Sequence, residues 1–275
     1  MCGICGCGTP HPHPEPQKHR FVLNRNLDAV HDHEHSAARL LKIEQDLLGK
    51  NNAYAEQNRT YFEQHRIFVL NLVSSPGSGK TTLLVETIKA LKDRIPIAVI
   101  EGDQQTEHDA ERIRAAGVPA VQINTGRACH LDAHGIGHAV EKLGLRSHSL
   151  LAIENVGNLV CPSSFDLGEA HKIVVLSVTE GDDKPLKYPD MFHAADLMLI
   201  NKTDLLPYVD FDVDRCIGFA RQVNPDIGVI RLSATKGENF SAWLDWLSER
   251  MTDIKAKAGS NTAEEAQAMH RPAKF

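Results

Sequence analysis

No stretch of this 275-residue chain approaches the 18 or more consecutive apolar residues that a bilayer-spanning helix needs. The opening residues, MCGICGCGTPHPHPEP, hold no apolar core of the kind a secretory leader carries, so a cytoplasmic protein with no membrane partner is expected. Positive charge is not in excess either. Thirty Lys and Arg stand against 36 Asp and Glu, a net charge of −6, which argues against a nucleic-acid binder driven by global charge. In a cytoplasmic setting the six cysteines read as thiols or metal ligands, not as disulfides. One further absence is local. The phosphate-loop pattern G-x-x-x-x-G-K-[ST] is met at Gly79, Lys80 and Thr81, but Ser74 stands where its first glycine belongs.

What surrounds that loop is informative. The apolar run Ile67–Val73 precedes Ser74-Ser75-Pro76-Gly77-Ser78-Gly79-Lys80-Thr81, and a helix-compatible segment starting at Thr82 follows. Strand, glycine-bearing loop and helix start are the context a phosphate-binding loop requires. Backbone N–H groups of Gly77, Ser78, Gly79 and the helix start at Thr82 would face anionic oxygens. Lys80 would reach the β and γ phosphates, and the Thr81 hydroxyl would ligate Mg²⁺. Gly77 supplies backbone freedom that Ser74 lacks. A plain Gly/Ser turn is the competing reading.

Four segments follow from composition and pattern. Residues 1–35 read as a flexible Cys/His-rich metal-binding segment, 36–66 as a helical lead-in, 67–257 as the nucleotide domain, and 258–275 as a polar, disordered tail. The lead-in divides into a helix ending at Gly49 as C-cap and a second segment over 53–66. Strands are expected at 67–73, 97–101, 120–124, 149–154, 172–178, 196–200 and 228–232. Helices are expected at 82–94, 107–116, 212–223 and 240–257. Apolar strands alternating with amphipathic helices make an α/β fold, a mainly parallel sheet covered on both faces, with ligands at the carboxyl ends of the strands.

The first segment carries Cys2, Cys5 and Cys7 and six of the 15 histidines, His11, His13, His19, His31, His33 and His35. Three thiolates within six residues can surround one ion without help from a fold. With Met1 removed, the Cys2 amine becomes a fourth donor, a set that suits square-planar Ni²⁺ and also satisfies tetrahedral Zn²⁺. A redox-sensitive tail is the alternative.

Within the nucleotide domain, Asn201-Lys202-Thr203-Asp204 ends an apolar strand in the form N-K-x-D. An Asp204 carboxylate accepts from guanine's N1–H and exocyclic amine, a donor pair adenine lacks, so GTP and GDP are the expected nucleotides. Ser233 and Ala234, after the next strand, fit a further base-contacting loop. Glu154 and Gly157 end another strand where a γ-phosphate-sensing loop would lie, and Asp103 ends a third. Asp103 and Glu154 are candidates, with Lys80, for the catalytic centre, and Asp103 with Thr81 for the Mg²⁺ shell. Each acid also fits an ordinary strand end. Cys129, His130 and Cys161 would hang near the γ end of the nucleotide. They are good Ni²⁺ or Zn²⁺ ligands, but three per chain leave the shell incomplete, and a two-fold dimer would complete it. Buried structural thiols are the competing reading. His134 and His138 continue the spacing from His130, on a helix that Gly135 and Gly137 weaken. Cys216 reads as core.

Taken in order, C-x-x-C-x-C, the histidine-rich spacer, S-S-P-G-S-G-K-T, E-G-D, C-H, E-N-V-G-N-L-V-C-P and N-K-T-D resemble the hydrogenase nickel-incorporation GTPase family HypB, over almost the whole chain. Ser74 is no departure from that family. The resemblance implies a SIMIBI-class P-loop GTPase that forms a homodimer with GTP and delivers nickel to the large subunit of [NiFe]-hydrogenase. It implies a high-affinity nickel site at Cys2, Cys5 and Cys7, a weaker interface site at Cys129, His130 and Cys161, and a HypA-type nickel-binding partner. Rival readings are the urease nickel-insertion GTPase, a nickel/zinc storage protein with a vestigial GTPase domain, and a P-loop kinase. A metal-competition titration of the peptide 1–10 should give an affinity tighter than micromolar; a weaker one removes the tight site.

Overall fold

The computed structural model describes residues 29–103, 108–126 and 128–252. Residues from Glu44 onward form one compact unit; those up to Ile43, whose described part is helix from Ala29, form another. Helix α1 spans Ala29–Gln64, starting ahead of residue 36 and including the backbone of His31, His33 and His35. It also passes through Gly49, where the sequence suggests a C-cap. Gly49 is exposed and sits away from positive φ, so it costs the helix only its intrinsic ~1 kcal/mol relative to Ala. Two residues on, Asn51 holds the helix in place. Its Oδ1 accepts from Ala133 N at 2.8 Å and its Nδ2 donates to Asp166 O at 2.7 Å.

The core is a seven-stranded sheet in the order β3-β2-β4-β1-β5-β6-β7, every pair parallel. Its strands are β1 Phe68–Ser74, β2 Ile97–Asp103, β3 Ala120–Asn124, β4 Leu150–Gly157, β5 His171–Ser177, β6 Leu197–Asn201 and β7 Gly228–Arg231. All seven lie where the apolar runs place them, within a few residues at each end. The crossovers include α2 Lys80–Leu91, α3 His108–Ala115, α4 Ala133–Leu143 and α7 Val213–Val223. Short helices α5 Lys184–Lys187 and α6 Pro189–Ala194 were not expected; each starts with proline at its first turns, where the missing N–H costs nothing. Helix α8 covers 240–252, and its expected continuation to 257 lies outside the described residues, as does the tail 258–275.

Period-two burial explains why both faces are covered. In β1, Phe68, Leu70 and Leu72 pack with Leu83, Ile88, Trp243 and Leu247 of α2 and α8. Val69 points the other way, joining Ile100, Ile153, Phe62 of α1 and Ile136 of α4. β5 and β6 send Val174, Leu176, Met198 and Ile200 against α6 and α7, where Cys216 is buried and its thiol pushed up to about 12 by burial. Cys216 is core, as its amphipathic helix suggests. No helix among the described residues is long and apolar enough to cross a membrane.

A second asparagine ties α1 to α4 and to the loop before β5. The buried Asn58 Nδ2 donates to Ala133 O at 2.8 Å and to Leu167 O at 3.1 Å. Replacing Asn58 with Ala strands both carbonyls and should lower stability by about 1–3 kcal/mol, visible as a several-degree fall in Tm by calorimetry. An unchanged Tm would mean that water replaces both bonds.

Candidate functional site

The loop between β1 and α2 is built on two left-handed glycines, Gly77 with φ 75° and Gly79 with φ 98°. At Gly79 any side chain would fail twice: the backbone is strained, and a Cβ would sit 2.6 Å from Asn201 Nδ2. Asn201 closes the loop from the β6 side, its Nδ2 donating to Ser78 O at 2.9 Å. Its Oδ1 accepts from Lys202 N at 2.8 Å and Ala234 N at 3.1 Å, and Lys202 Nζ reaches Gly77 O at 2.7 Å. Asp204 Oδ1 accepts from Ser233 Oγ at 2.5 Å. The residues expected to read the base thus form one bonded unit with the phosphate loop, although they lie over 100 residues apart in sequence.

Ser74, standing where the pattern has glycine, has a clear contact. It is fully buried, and its Oγ accepts from Lys80 Nζ at 2.6 Å while donating to Ser75 O at 2.6 Å. Burial lowers the Lys80 pKa, with Glu154 the largest opposing charge.

β4 lies between β1 and β2, so its carboxyl end faces the loop. Glu154 is buried, and its Oε1 accepts from Thr81 Oγ1 at 2.7 Å. Its register neighbour on β2 is Glu101, a buried acid that sequence reading passed over. Burial pushes Glu154 up to about 7, against the pull of Lys80, and Glu101 up to about 8, reinforced by Glu154. Glu101 Oε2, Glu154 Oε2 and Ser78 Oγ are buried with no partner among the described residues. All line a cavity of about 500 Å³ with Asp103, Gly157, Asp109 and Arg112, whose guanidinium lies 3.3 Å from Thr82 Oγ1. Orphaned carboxylate oxygens beside a threonine hydroxyl suit a hard divalent cation, so the residues present fit Mg²⁺. Gly157 lies close against the loop: a Cβ there would be 3.0 Å from Pro76 Cα, so a side chain would press on Pro76.

The thiols come together as well. One ligand atom from each of Cys129, His130 and Cys161 lies within 4.8 Å of the others, all three residues half-buried. Cys129 Sγ is 3.8 Å from His130 Nδ1, and Asn158 Nδ2 donates to Cys129 O at 3.2 Å. The His130 ring stacks on Phe165, centroids 3.8 Å apart. Burial lowers the His130 pKa, so its imidazole is neutral and able to coordinate. Two sulfurs and an imidazole suit Ni²⁺ or Zn²⁺. Asn155 links this cluster to the nucleotide cavity. Its Oδ1 accepts from Leu131 N at 3.2 Å and its Nδ2 donates to Asn71 Oδ1 at 3.2 Å; Asn71 in turn donates to Glu169 at 2.9 Å. The sequence reading passed over Asn71; its signal was a polar side chain interrupting an apolar strand. Cys2, Cys5 and Cys7 lie outside the described residues.

The expected weakness of the helix after His130 is not observed. α4 forms across Gly135 and Gly137, because Asp132 caps it, accepting from Gly135 N at 2.7 Å, and Ile136, Ala139 and Val140 are buried beneath it.

A wholly parallel sheet with this loop between β1 and α2 defines a P-loop nucleotide-binding protein. The CobW/HypB/UreG nucleotide-binding domain matches residues 68–231. Hydrogenase maturation factor HypB of Azotobacter vinelandii is 65% identical over 235 residues, 85% of this chain and 77% of that protein. Its namesake from Escherichia coli K12 is 64% identical over 212 residues, 77% of this chain and 73% of that one. Crystal structures of HypB from Helicobacter pylori, in complex with nickel, and from Archaeoglobus fulgidus superpose with TM-scores of 0.71 and 0.70 at 42% and 40% identity. Each covers 74% of this chain, and 96% and 99% of its own. The chain belongs to the HypB family of hydrogenase maturation factors.

The raised carboxyls set a pH dependence. Folding holds protons on Glu101 and Glu154 that the unfolded chain releases near the ordinary value, 4.5, so their contribution is fully present below that pH. It is lost as pH rises through about 7 and about 8. Glu101→Gln should therefore gain stability over the native protein progressively from pH 5 to 8.5 in metal-free denaturant titrations. A pH-independent difference would mean that Glu101 is not held protonated.

Proposed function

We propose that this chain is a GTPase that binds Ni²⁺ and assists its insertion into the large subunit of [NiFe]-hydrogenase. One observation carries the reading: a single segment, 154–161, touches the phosphate loop through Glu154 and supplies the metal cluster with Cys161. The nickel complex of the Helicobacter pylori relative supports the choice of metal. Zn²⁺ fits the same donors.

In this reading the guanine base is held by Asn201, Lys202 and Asp204, with Ser233 keeping the Asp204 carboxylate turned to it and Ala234 on the adjoining loop. The phosphates lie over the N–H groups of Gly77, Ser78, Gly79, Lys80, Thr81 and Thr82. Arrival of the γ-phosphate draws Lys80 Nζ off Ser74 Oγ, which keeps its bond to the Ser75 carbonyl. Bound Mg²⁺ would neutralise charge developing on the transferred phosphoryl; Thr81 and Asp103 hold it, with Glu154 behind the threonine. Asp103 or Glu154 orients the attacking water. Gly157 reports the γ-phosphate, because it lies directly against Pro76 of the loop. Movement there shifts Asn155 and with it Leu131, the residue after His130. Nucleotide state and metal affinity are then coupled, and the coupling runs both ways.

Three ligands per chain leave the Cys129–His130–Cys161 shell open, so a homodimer that is GTP- and metal-dependent completes it. Cys2, Cys5 and Cys7 serve as the tight nickel site, and a HypA-type accessory protein and the hydrogenase large subunit are the exchange partners. In this reading the chain works in the cytoplasm.

The test is steady-state hydrolysis of GTP against ATP, with and without Ni²⁺. GTP should be preferred at least tenfold, Asp204→Ala should erase that preference, and Ni²⁺ should change GTP turnover in the native chain but not in Cys161→Ser. Equal use of ATP overturns the nucleotide assignment; Ni²⁺-independent turnover overturns the coupling.

A further inference from the structure

A buried lysine lies behind the loop that carries Cys161. Lys172 is the second residue of β5, beside Asn71 of β1 in register, on a face that continues into the core as Val174 and Leu176. An apolar side chain is the ordinary occupant of such a place. The backbone there is pinned from the next strand: Lys172 N donates to Asp196 Oδ2, and Lys172 O accepts from Asp196 N, each at 2.9 Å. From that fixed base the ammonium donates to Pro162 O at 3.0 Å, Ser163 O at 3.3 Å and Phe165 O at 3.3 Å. These are as many carbonyls as an ammonium has hydrogens. Glu169 supplies the countercharge, its Oε1 3.7 Å from Nζ and its side chain only 6% exposed. Leu167 N and Asn71 Nδ2 hold that carboxylate in turn, at 2.7 and 2.9 Å.

What the ammonium gathers is the frame of the metal cluster. Cys161–Ser163 is a single 3-10 turn, and the carbonyls at its end have no following turn to bond. Lys172 caps them, as a lysine does at a helix C-terminus. The first residue of the turn is Cys161. The third carbonyl belongs to Phe165, whose ring packs on His130 with centroids 3.8 Å apart. One side chain therefore sets the backbone under a thiol ligand and under the ring that backs the imidazole. Stability alone does not explain the choice, because apolar residues of like volume often serve as well as a buried ion pair.

We propose that Lys172 is a positioning residue of the Cys129–His130–Cys161 cluster, holding Cys161 Sγ at the distance from the other two ligands that a borderline divalent cation needs. This role rests on the reading of the cluster as a metal site. Lys172 supplies no electron pair to the metal; it acts through the backbone of the loop. Without its ammonium the three carbonyls lose their donor, and the turn that begins at Cys161 loses its cap. Cys129 and His130 keep anchors of their own, Asn158 on the Cys129 carbonyl and Asn155 on the Leu131 N–H.

Co²⁺ is the probe, because it takes the same nitrogen and sulfur ligands as Ni²⁺ and Zn²⁺ and absorbs by charge transfer when a thiolate is bound. It is titrated into the full chain with Cys2, Cys5 and Cys7 replaced by Ser, so that the band arises at the inner cluster. With Lys172 intact, a saturable two-thiolate band is expected. Lys172→Met keeps most of the side chain's length but removes its charge and donors. It should lose about half of the band and bind Co²⁺ about 10–100-fold more weakly, the range for residues that support metal ligands. Trp243→Phe is the control for a merely structural effect. It removes the indole bond to Thr87 Oγ1 on the other face of the sheet, and should lower Tm with band and affinity unchanged. If circular dichroism without metal shows Lys172→Met unfolded, Lys172→Gln, with a shorter neutral donor, is read the same way. No band with Lys172 intact would overturn the metal reading, and this role with it. A full band with unchanged affinity in the Lys172 variant, or an equal loss in Trp243→Phe, would overturn the positioning role alone.

Discussion

The hydrogen bond from Thr81 Oγ1 to Glu154 Oε1 is the contact on which the rest of the site depends. It exists because β4 lies beside β1, in a register that pairs Leu72 with Glu154. That placement brings a buried carboxylate to the mouth of the phosphate loop and sets Glu101 of β2 beside it. Two acids, a lysine and a threonine are then buried together. Charge is expensive there, so burial raises the pKa of both carboxyls and lowers that of the lysine, which bonds Ser74. Nucleotide and cation would meet a site already arranged for charge and lacking only its partners.

From Glu154 the chain goes directly to the metal cluster. Asn155 is the hinge of that connection: Leu131 and Val156 donate to its oxygen and its nitrogen donates to Asn71. A buried hydrogen-bonded network resists local distortion, so a displacement at one end would be passed on. Asn71, Glu169 and Lys172 extend it beneath the sheet, ending on the carbonyls of Pro162, Ser163 and Phe165. The loop that carries Cys161 is therefore held by the polar line that starts at Asn155, the residue after Glu154. Its other neighbour, the helix α4, bears the outward-facing His134 and His138.

Much of the site was legible because its chemistry is local. Gly79, Lys80 and Thr81 announce themselves by spacing, since a phosphate loop is one continuous turn. Asn201 and Asp204 do so because the whole N-K-x-D pattern sits on one strand end. Glu101 was missed because an acid at the end of an apolar strand looks the same whether it faces solvent or another carboxylate. Gly49 misled for a related reason. A glycine ends a helix only if the chain then turns left-handed, and here Asn51 finds partners in α4 and in the loop at Asp166 that keep the helix going. The glycines of α4 were outweighed by the Asp132 cap and the burial of three apolar side chains.

By itself, the sequence determined the strands, the phosphate loop, the N-K-x-D pattern and the residue types able to hold a metal, because each depends on periodicity or on near neighbours in the chain. Tertiary structure alone decided that β4 inserts between β1 and β2, and all that follows from this. The pairing of Glu154 with Thr81, the raised carboxyls and the meeting of Cys129 and His130 with Cys161 depend on segments far apart in sequence. Their distances are set by strand order and register, which no local pattern encodes.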